Sequence, residues 1–134
     1  MENTILNKIT NAQNIVITAH KSPDGDSVGS SLALFHVCKN LGKNAVVCFP
    51  DEVPAYLTWV NGATEIVVFD KEPEKVQSLM LNADLLFALD YNGSSRLGND
   101  MGVIFDTSKA FKIMIDHHTF PDDFVDLQYS FPKV

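Results

Sequence analysis

The chain lacks long hydrophobic runs, and no apolar segment approaches the ~20 residues that span a bilayer. Its first residues, Met1 to Lys8, also lack the basic and apolar segments of a signal peptide. Basic residues are scarce, since 10 Lys and Arg stand against 17 Asp and Glu, for a net charge of −7. We therefore expect a cytoplasmic protein without a membrane partner. Binding of duplex DNA through bulk charge is excluded, because counterion release needs a basic surface.

Cysteine is also rare, and the sequence contains no internal repeat or low-complexity tract. Cys38 and Cys48 both lie inside apolar patterns, which predicts reduced, buried thiols and not a disulfide. The 134 residues are 46% hydrophobic and 20% charged, a composition typical of one globular domain.

Short apolar runs rich in β-branched residues alternate with segments of helical periodicity. The runs that predict strands are 14–19, 45–49, 66–69, 85–89 and 111–115. Apolar residues recur three or four apart within 27–41, 53–60, 72–80 and 97–108. The alternation predicts an α/β fold of three layers, with a mainly parallel, five-stranded sheet and helices on both faces. Residues 119–134 show no clear element.

Polar side chains gather in the segments that directly follow three of the predicted strands. These segments are 20–27 after the first strand, 90–93 after the fourth and 116–118 after the fifth. In open parallel sheets, ligands bind at the carboxyl ends of the strands. Three of the four His residues and four Asp residues are therefore expected at one edge of the sheet.

The residue types in these segments are those of a metal site. Carboxylate and imidazole together suit Mn, Co, Fe or Zn, and the absence of thiolates argues against a structural zinc cage. Gly25 separates Asp24 from Asp26 and lets the backbone bend so that both carboxylates reach one cavity. Two divalent cations would offset the carboxylates, so that an acidic protein no longer repels a phosphate substrate.

Simpler interpretations exist for several of these residues. One of Asp24 and Asp26 could cap the following helix, although capping does not account for both. Asp90 could be a turn residue at a strand end. For Asp70, which also follows a strand, we adopt the turn interpretation, and for His36 a packing or surface role.

The segment His20-Lys-Ser-Pro-Asp24-Gly-Asp26-Ser resembles the first motif of the DHH phosphoesterases. Residues 116–118, Asp-His-His, match the triplet that names this family, and Asp90 fits its second motif. The match is closest to the branch of bifunctional oligoribonucleases and 3'-phosphoadenosine-5'-phosphate phosphatases. Family II inorganic pyrophosphatases usually show Asp-Thr-Asp where this chain has Asp-Gly-Asp.

The resemblance implies a site for two divalent cations, with manganese as the expected metal. His20 and Asp24 would hold one cation, Asp26 and His117 would hold the other, and Asp90 would bridge the two.

The resemblance also implies roles for three further residues. Asp116 would orient an imidazole that binds the metal, without binding the metal itself. His118, with Asp90 one of two expected catalytic residues, would face the substrate phosphate and stabilise its developing charge. Arg96 would contact the phosphate or form a structural ion pair.

The expected activity is metal-dependent hydrolysis of short oligoribonucleotides, of 3'-phosphoadenosine-5'-phosphate, or of both, by two-metal activation of water. The expected partner is a short single-stranded RNA or a nucleotide 3'-phosphate, and a homodimer is possible. Family members are longer, so we interpret residues 1–134 as a catalytic domain that is incomplete at its C-terminus. A fourth motif and a second, DHHA1-type substrate-binding domain would lie beyond Val134. The alternatives are a non-catalytic metal-binding fragment that lacks this fourth motif, and an inorganic pyrophosphatase.

Overall fold

A computed structural model describes residues 2–19, 25–60, 62–89, 97, 99–116 and 127–130. Within these ranges the helices are α1 (Glu2–Asn11), α2 (Gly25–Asn40), α3 (Pro73–Leu81) and α4 (Asn99–Thr107). The strands are β1 (Asn14–Ala19), β2 (Asn44–Phe49), β3 (Val67–Val68), β4 (Leu85–Leu89), β5 (Phe111–Asp116) and β6 (Leu127–Ser130).

The described strands form one sheet in the order β3-β2-β1-β4-β5-β6, and every described neighbouring pair is parallel. The predicted α/β fold with five parallel strands and interleaved helices is confirmed. The sheet also has a sixth strand, β6, in a segment where the sequence pattern predicted no element. Residues 127–130, Leu-Gln-Tyr-Ser, alternate between apolar and polar, a short strand signal that the sequence analysis did not use, and the pairing with β5 establishes this edge strand.

Helices cover both faces of the sheet because successive strand residues point to opposite sides. Ile15 and Ile17 of β1 belong to one buried cluster, together with Leu32 and Phe35 of α2. Val16, between the two isoleucines, belongs to a second cluster that includes Phe105 of α4. The first cluster contains residues of α1 and α2, and the second contains residues of α3 and α4, so the sheet is the middle of three layers.

Two elements differ from their predicted extent. The helix expected over 53–60 is reduced to a single 3-10 turn, Ala55–Leu57, followed by a second 3-10 turn at Ala63–Glu65. Gly62 lies between them with a φ of +94°, a backbone conformation that interrupts helix formation. The strand expected over 66–69 pairs with β2 only at Val67–Val68.

Both cysteines are free and buried, as their apolar surroundings predicted. Burial raises the pKa of the Cys38 thiol to about 11 and that of the Cys48 thiol to about 12. Neither thiol is therefore a nucleophile at neutral pH. Among the described residues, no helix is both long and apolar enough to span a membrane.

Candidate functional site

The order of the strands reverses between β1 and β4, which are neighbours in the sheet. From β1 the chain proceeds through α2 to β2 on one side, and from β4 it proceeds through α4 to β5 on the other. Because both crossovers are expected to be right-handed, α2 and α4 cover opposite faces, and the two buried clusters agree with this. Such a reversal is a topological switch point, and open α/β sheets bind ligands in the crevice outside the carboxyl ends of the strands at that point, here β1 and β4.

Three strands end level with one another at this crevice. Ala19 of β1 pairs with Leu89 of β4, and Leu89 pairs with Ile115 of β5. In the sequence, each of these residues is followed directly by the first polar position of a candidate segment. The three candidate segments therefore follow neighbouring strand ends at the same edge of the sheet.

Helix α2 begins at the same edge. Only five residues separate Ala19 from Gly25, the first residue of the helix. The first turn of a helix has backbone N–H groups without intrahelical partners, and it favours anions. This helix start places the backbone of Asp26 next to the crevice.

The structure describes two of the predicted site residues, and these only by their backbone. Asp26 is the second residue of α2, and Asp116 is the last residue of β5, where it pairs with Ser130 of β6. The other predicted site residues lie outside the described residues, and they are His20, Asp24, Asp90, Arg96, His117 and His118. Within the described part of the chain, no three His, Cys, Asp or Glu side chains are grouped so that they could hold a metal.

The predicted donor set fits a pair of manganese ions by its chemistry. It consists of two imidazoles and three carboxylates, which are ligands of the borderline and hard kind that Mn²⁺ accepts. The two cysteines, whose thiolates would favour softer metals, are buried in the core clusters and belong to other surroundings.

The hydroxyl of Thr18 joins the two strands that flank the crevice. Thr18 is fully buried, and its Oγ1 donates a hydrogen bond of 2.6 Å to the carbonyl oxygen of Phe87 in β4. The sequence analysis did not single out this residue. A polar residue between the apolar Ile17 and Ala19, two positions before His20, was the signal that could have identified it.

A second buried hydroxyl lies on α2. Ser31 is fully buried on the helix face that also carries Val28, Leu32 and Phe35, and among the described residues its Oγ has no hydrogen-bond partner. An unsatisfied buried hydroxyl is unfavourable in free energy, so helix α2 contains a local defect two turns from its start.

His36 and Asp70 have the simpler roles that the sequence predicted, a packing role and a turn role. His36 is half-buried, and its ring packs edge-on against Phe35 with 5.3 Å between ring centroids. Asp70 is exposed, and its backbone N–H donates to the carbonyl oxygen of Pro50 at 3.1 Å, as a turn residue does.

Comparison with known proteins identifies a family match over nearly the whole chain. The model of the DHH family, N-terminal domain, matches residues 14–133. Over 104 residues the chain is 36% identical to the bifunctional oligoribonuclease and PAP phosphatase NrnA of Thermus thermophilus. That alignment covers 78% of this chain and 28% of the relative.

A solved structure agrees with the sequence match. An exopolyphosphatase-related protein from Bacteroides fragilis superimposes with a TM-score of 0.92 and 37% sequence identity. The superposition covers 96% of this chain and 37% of that protein. The chain thus spans a minor part of the length of both relatives.

Proposed function

The chain belongs to the DHH family of phosphoesterases, and we propose that it forms the metal-binding part of a two-metal hydrolase. The proposed substrates are short oligoribonucleotides and 3'-phosphoadenosine 5'-phosphate, in line with the relative from Thermus thermophilus. The observation that carries this proposal is the pairing of Ala19, Leu89 and Ile115, which aligns the starts of the three candidate segments.

The proposed ligands come from the three segments and from the start of α2. His20 and Asp24 would hold one cation, Asp26 and His117 the other, and Asp90 would bridge them. When bound, two divalent cations would supply Lewis acidity and lower the pKa of an attacking water. Because the protein carries a net charge of −7, this local positive charge is what would let a phosphate ester approach.

The other proposed site residues orient groups and bind the phosphate. Asp116 would accept a hydrogen bond from a liganding imidazole and fix its ring orientation. His118 would donate an N–H to a phosphoryl oxygen and offset the charge that develops there. Arg96 would bind a second phosphoryl oxygen, for which a guanidinium is well suited.

We further propose that residues 1–134 act together with additional chain in the active enzyme. The relatives extend well beyond the aligned part, since this chain covers 28% of one and 37% of the other. We propose that this additional chain supplies a further Asp ligand and a substrate-binding domain. Metal binding by the 134 residues is therefore a more direct test than turnover.

The test compares Asp90→Ala with Asp70→Ala, because both acids follow a strand of the same sheet. Asp70 is exposed beyond β3, at the edge of the sheet and away from the switch point. Calorimetric titration with Mn²⁺ should show tight binding to the wild type and to Asp70→Ala. Asp90→Ala should bind at least ~10-fold more weakly. Equal Mn²⁺ affinity of all three proteins would contradict the proposed site.

Hydrolysis is measured in the same preparations and in a longer form that includes the following coding sequence. Dinucleotides and 3'-phosphoadenosine 5'-phosphate should be cleaved in the presence of Mn²⁺, with a loss of ~100-fold or more in Asp90→Ala. Phosphate release from pyrophosphate in preference to both substrates would indicate a phosphoanhydride hydrolase instead. Mn²⁺ binding without turnover by either form would indicate a non-catalytic metal-binding protein.

A further inference from the structure

Trp59 is exposed to an unusual degree for its residue type. Its exposed fraction is 80%, the highest among the large hydrophobic side chains that the structure describes. Tryptophan is a highly buried residue on average, because burial of its large apolar ring is favourable. An indole held in solvent is therefore a candidate ligand contact, and such rings are surfaces on which nucleobases stack.

The turn that carries Trp59 is fixed to the protein core on both sides. Val53 and Leu57, which precede it, are buried in the first cluster, and Val60, which follows it, packs against the same cluster. The backbone N–H of Val60 donates to the carbonyl oxygen of Leu57 at 3.2 Å and closes the turn around Trp59. An exposed ring on an anchored turn loses little conformational freedom when a ligand binds.

A cavity of about 250 Å³ lies against the same turn. Val53 and Ala63 give it a buried apolar lining, and Thr58, Glu52 and Lys71 line it with exposed polar groups. Nζ of Lys71 and Oε1 of Glu52 are 2.7 Å apart, so the polar side of the cavity presents both a cation and a carboxylate. Pockets for whole drug-sized ligands begin at ~300 Å³, so this cavity suits one flat ring system with a polar edge.

The ion pair of the cavity lies at the edge of the sheet where the candidate segments begin. Glu52 comes three residues after the end of β2, and Lys71 comes three residues after the end of β3. Both strands run parallel to β1, and Thr18 of β1 pairs with Cys48, one residue before β2 ends. Because neighbouring strands lie ~4.8 Å apart, the chain leaves β1 and β2 at points about one strand spacing from each other.

From these observations we propose that Trp59 stacks on a nucleobase of the substrate and that the adjoining cavity receives the polar edge of this base. The inference rests on the proposed function, which places the substrate phosphate at the neighbouring switch point. A chain of net charge −7 gains little from phosphate contacts away from bound cations, so base contacts are an available source of affinity. Stacking supplies such affinity for any base, because every base has a π face.

The first test is steady-state hydrolysis by the longer form of the protein with two substrates. 3'-Phosphoadenosine 5'-phosphate carries a base, and ribose 3,5-bisphosphate has the same phosphates without one. Trp59→Ala should raise the KM for the nucleotide at least ~10-fold and leave kcat nearly unchanged, and Trp59→Phe should recover most of the loss. Neither variant should change the KM for the sugar bisphosphate.

The matched control is Leu81→Ala. Leu81 is 40% exposed at the end of α3, shortly before β4 begins, so the substitution removes exposed apolar surface at the opposite edge of the sheet. It should leave the KM for both substrates unchanged. An unchanged KM of Trp59→Ala for the nucleotide, or an equal rise for both substrates, would overturn the proposal.

The second test uses intrinsic fluorescence. The sequence contains one tryptophan, so the fluorescence of the 134-residue chain reports on Trp59 alone. In the presence of Mn²⁺, adenosine 5'-monophosphate should quench this fluorescence in a saturable manner, and ribose 5-phosphate should not. Absence of saturable quenching by the nucleotide would contradict base stacking on Trp59.

The measurements separate this inference from the proposed metal site. Trp59→Ala should bind Mn²⁺ with the wild-type affinity. A wrong metal site shows as an unchanged Mn²⁺ affinity of Asp90→Ala, whereas a wrong base contact shows as an unchanged KM in an enzyme that remains active. A Trp59→Ala variant of the longer form that loses stability and keeps its KM would mean that other parts of the chain cover Trp59, and this result would also overturn the proposal.

Discussion

The hydroxyl of Thr18 donates a 2.6 Å hydrogen bond to the carbonyl oxygen of Phe87, and this bond ties β1 to β4 where the strand order reverses. The two strands lead directly into His20 and Asp90, which are proposed metal ligands. A fixed distance between the strand ends is therefore a precondition for a fixed metal site.

Replacing Thr18 with Val keeps the shape of the side chain and removes the donor. We expect the free energy of unfolding to fall by about 1–2 kcal/mol, because a buried hydrogen bond is lost without replacement. Urea denaturation measures this change. Thr107→Val is the control, since its hydroxyl donates to the carbonyl oxygen of Val103 at an exposed position, and a change below ~0.5 kcal/mol is expected there. Equal effects of both substitutions would argue against a special role for the buried bond.

The substitution Ser31→Ala should change the free energy of unfolding in the opposite direction from Thr18→Val. The hydroxyl of Ser31 is buried with no partner in the described part of the chain, and Ala has the higher helix propensity, so removing the hydroxyl should stabilise the fold by up to ~1 kcal/mol. Urea denaturation measures this change in the free energy of unfolding. A loss of more than ~1 kcal/mol would mean that the hydroxyl forms an interaction in solution, such as one with a buried water.

Asp84 gives the fold an acid-sensitive contact at the amino ends of β1 and β4. Its Oδ2 accepts hydrogen bonds from the backbone N–H groups of Asn14 at 2.9 Å and Gln13 at 3.0 Å. These bonds hold the pKa of Asp84 below its ordinary value of 3.8. The folded state therefore binds this proton less readily than the unfolded state, and the contribution of Asp84 is present above pH 3.8 and lost as the pH falls through the lowered pKa.

The measurement is the difference in unfolding free energy between wild type and Asp84→Asn as a function of pH. We expect the wild type to be more stable at pH 6 and the difference to shrink as the solution is acidified below ~4. Glu74→Gln removes the same charge from an exposed position on α3 and controls for net charge. A difference that does not change with pH would show that the carboxylate is unimportant.

Alanine substitutions at Gly42 and Gly62 separate the cost of an unfavourable backbone conformation from the cost of side-chain crowding. Both have positive φ, +94° and +79°, and a Cβ at Gly42 would meet no atom within 4 Å. A Cβ at Gly62 would lie 3.3 Å from Nε2 of His36 and 3.3 Å from Cδ2 of Leu32. Thermal or urea unfolding should show a loss of about 1 kcal/mol for Gly42→Ala and a larger loss for Gly62→Ala. Equal losses would indicate that His36 and Leu32 move aside without cost.

Much of the fold could be predicted from local patterns. Residues 85–89 form an unbroken apolar run, and the structure has β4 at those residues, because a strand buried on both faces needs no polar side chains. The edge strands were harder to predict. β3 is shorter than its apolar run because only Val67 and Val68 pair with β2. The alternation that marks β6 is only four residues long, and its pairing with β5 establishes the strand.

The sequence by itself determined the alternation of strands and helices, the residue types of the candidate site and their positions directly after strands. Those features are local, since they depend on side-chain periodicity and on the chemistry of neighbouring residues. The tertiary structure alone decided that β1 lies beside β4, that their ends are level, and that Ala33 and Val37 of α2 are exposed. The physical reason is that strand order, register and helix exposure arise from contacts between residues far apart in the chain, which no local pattern records.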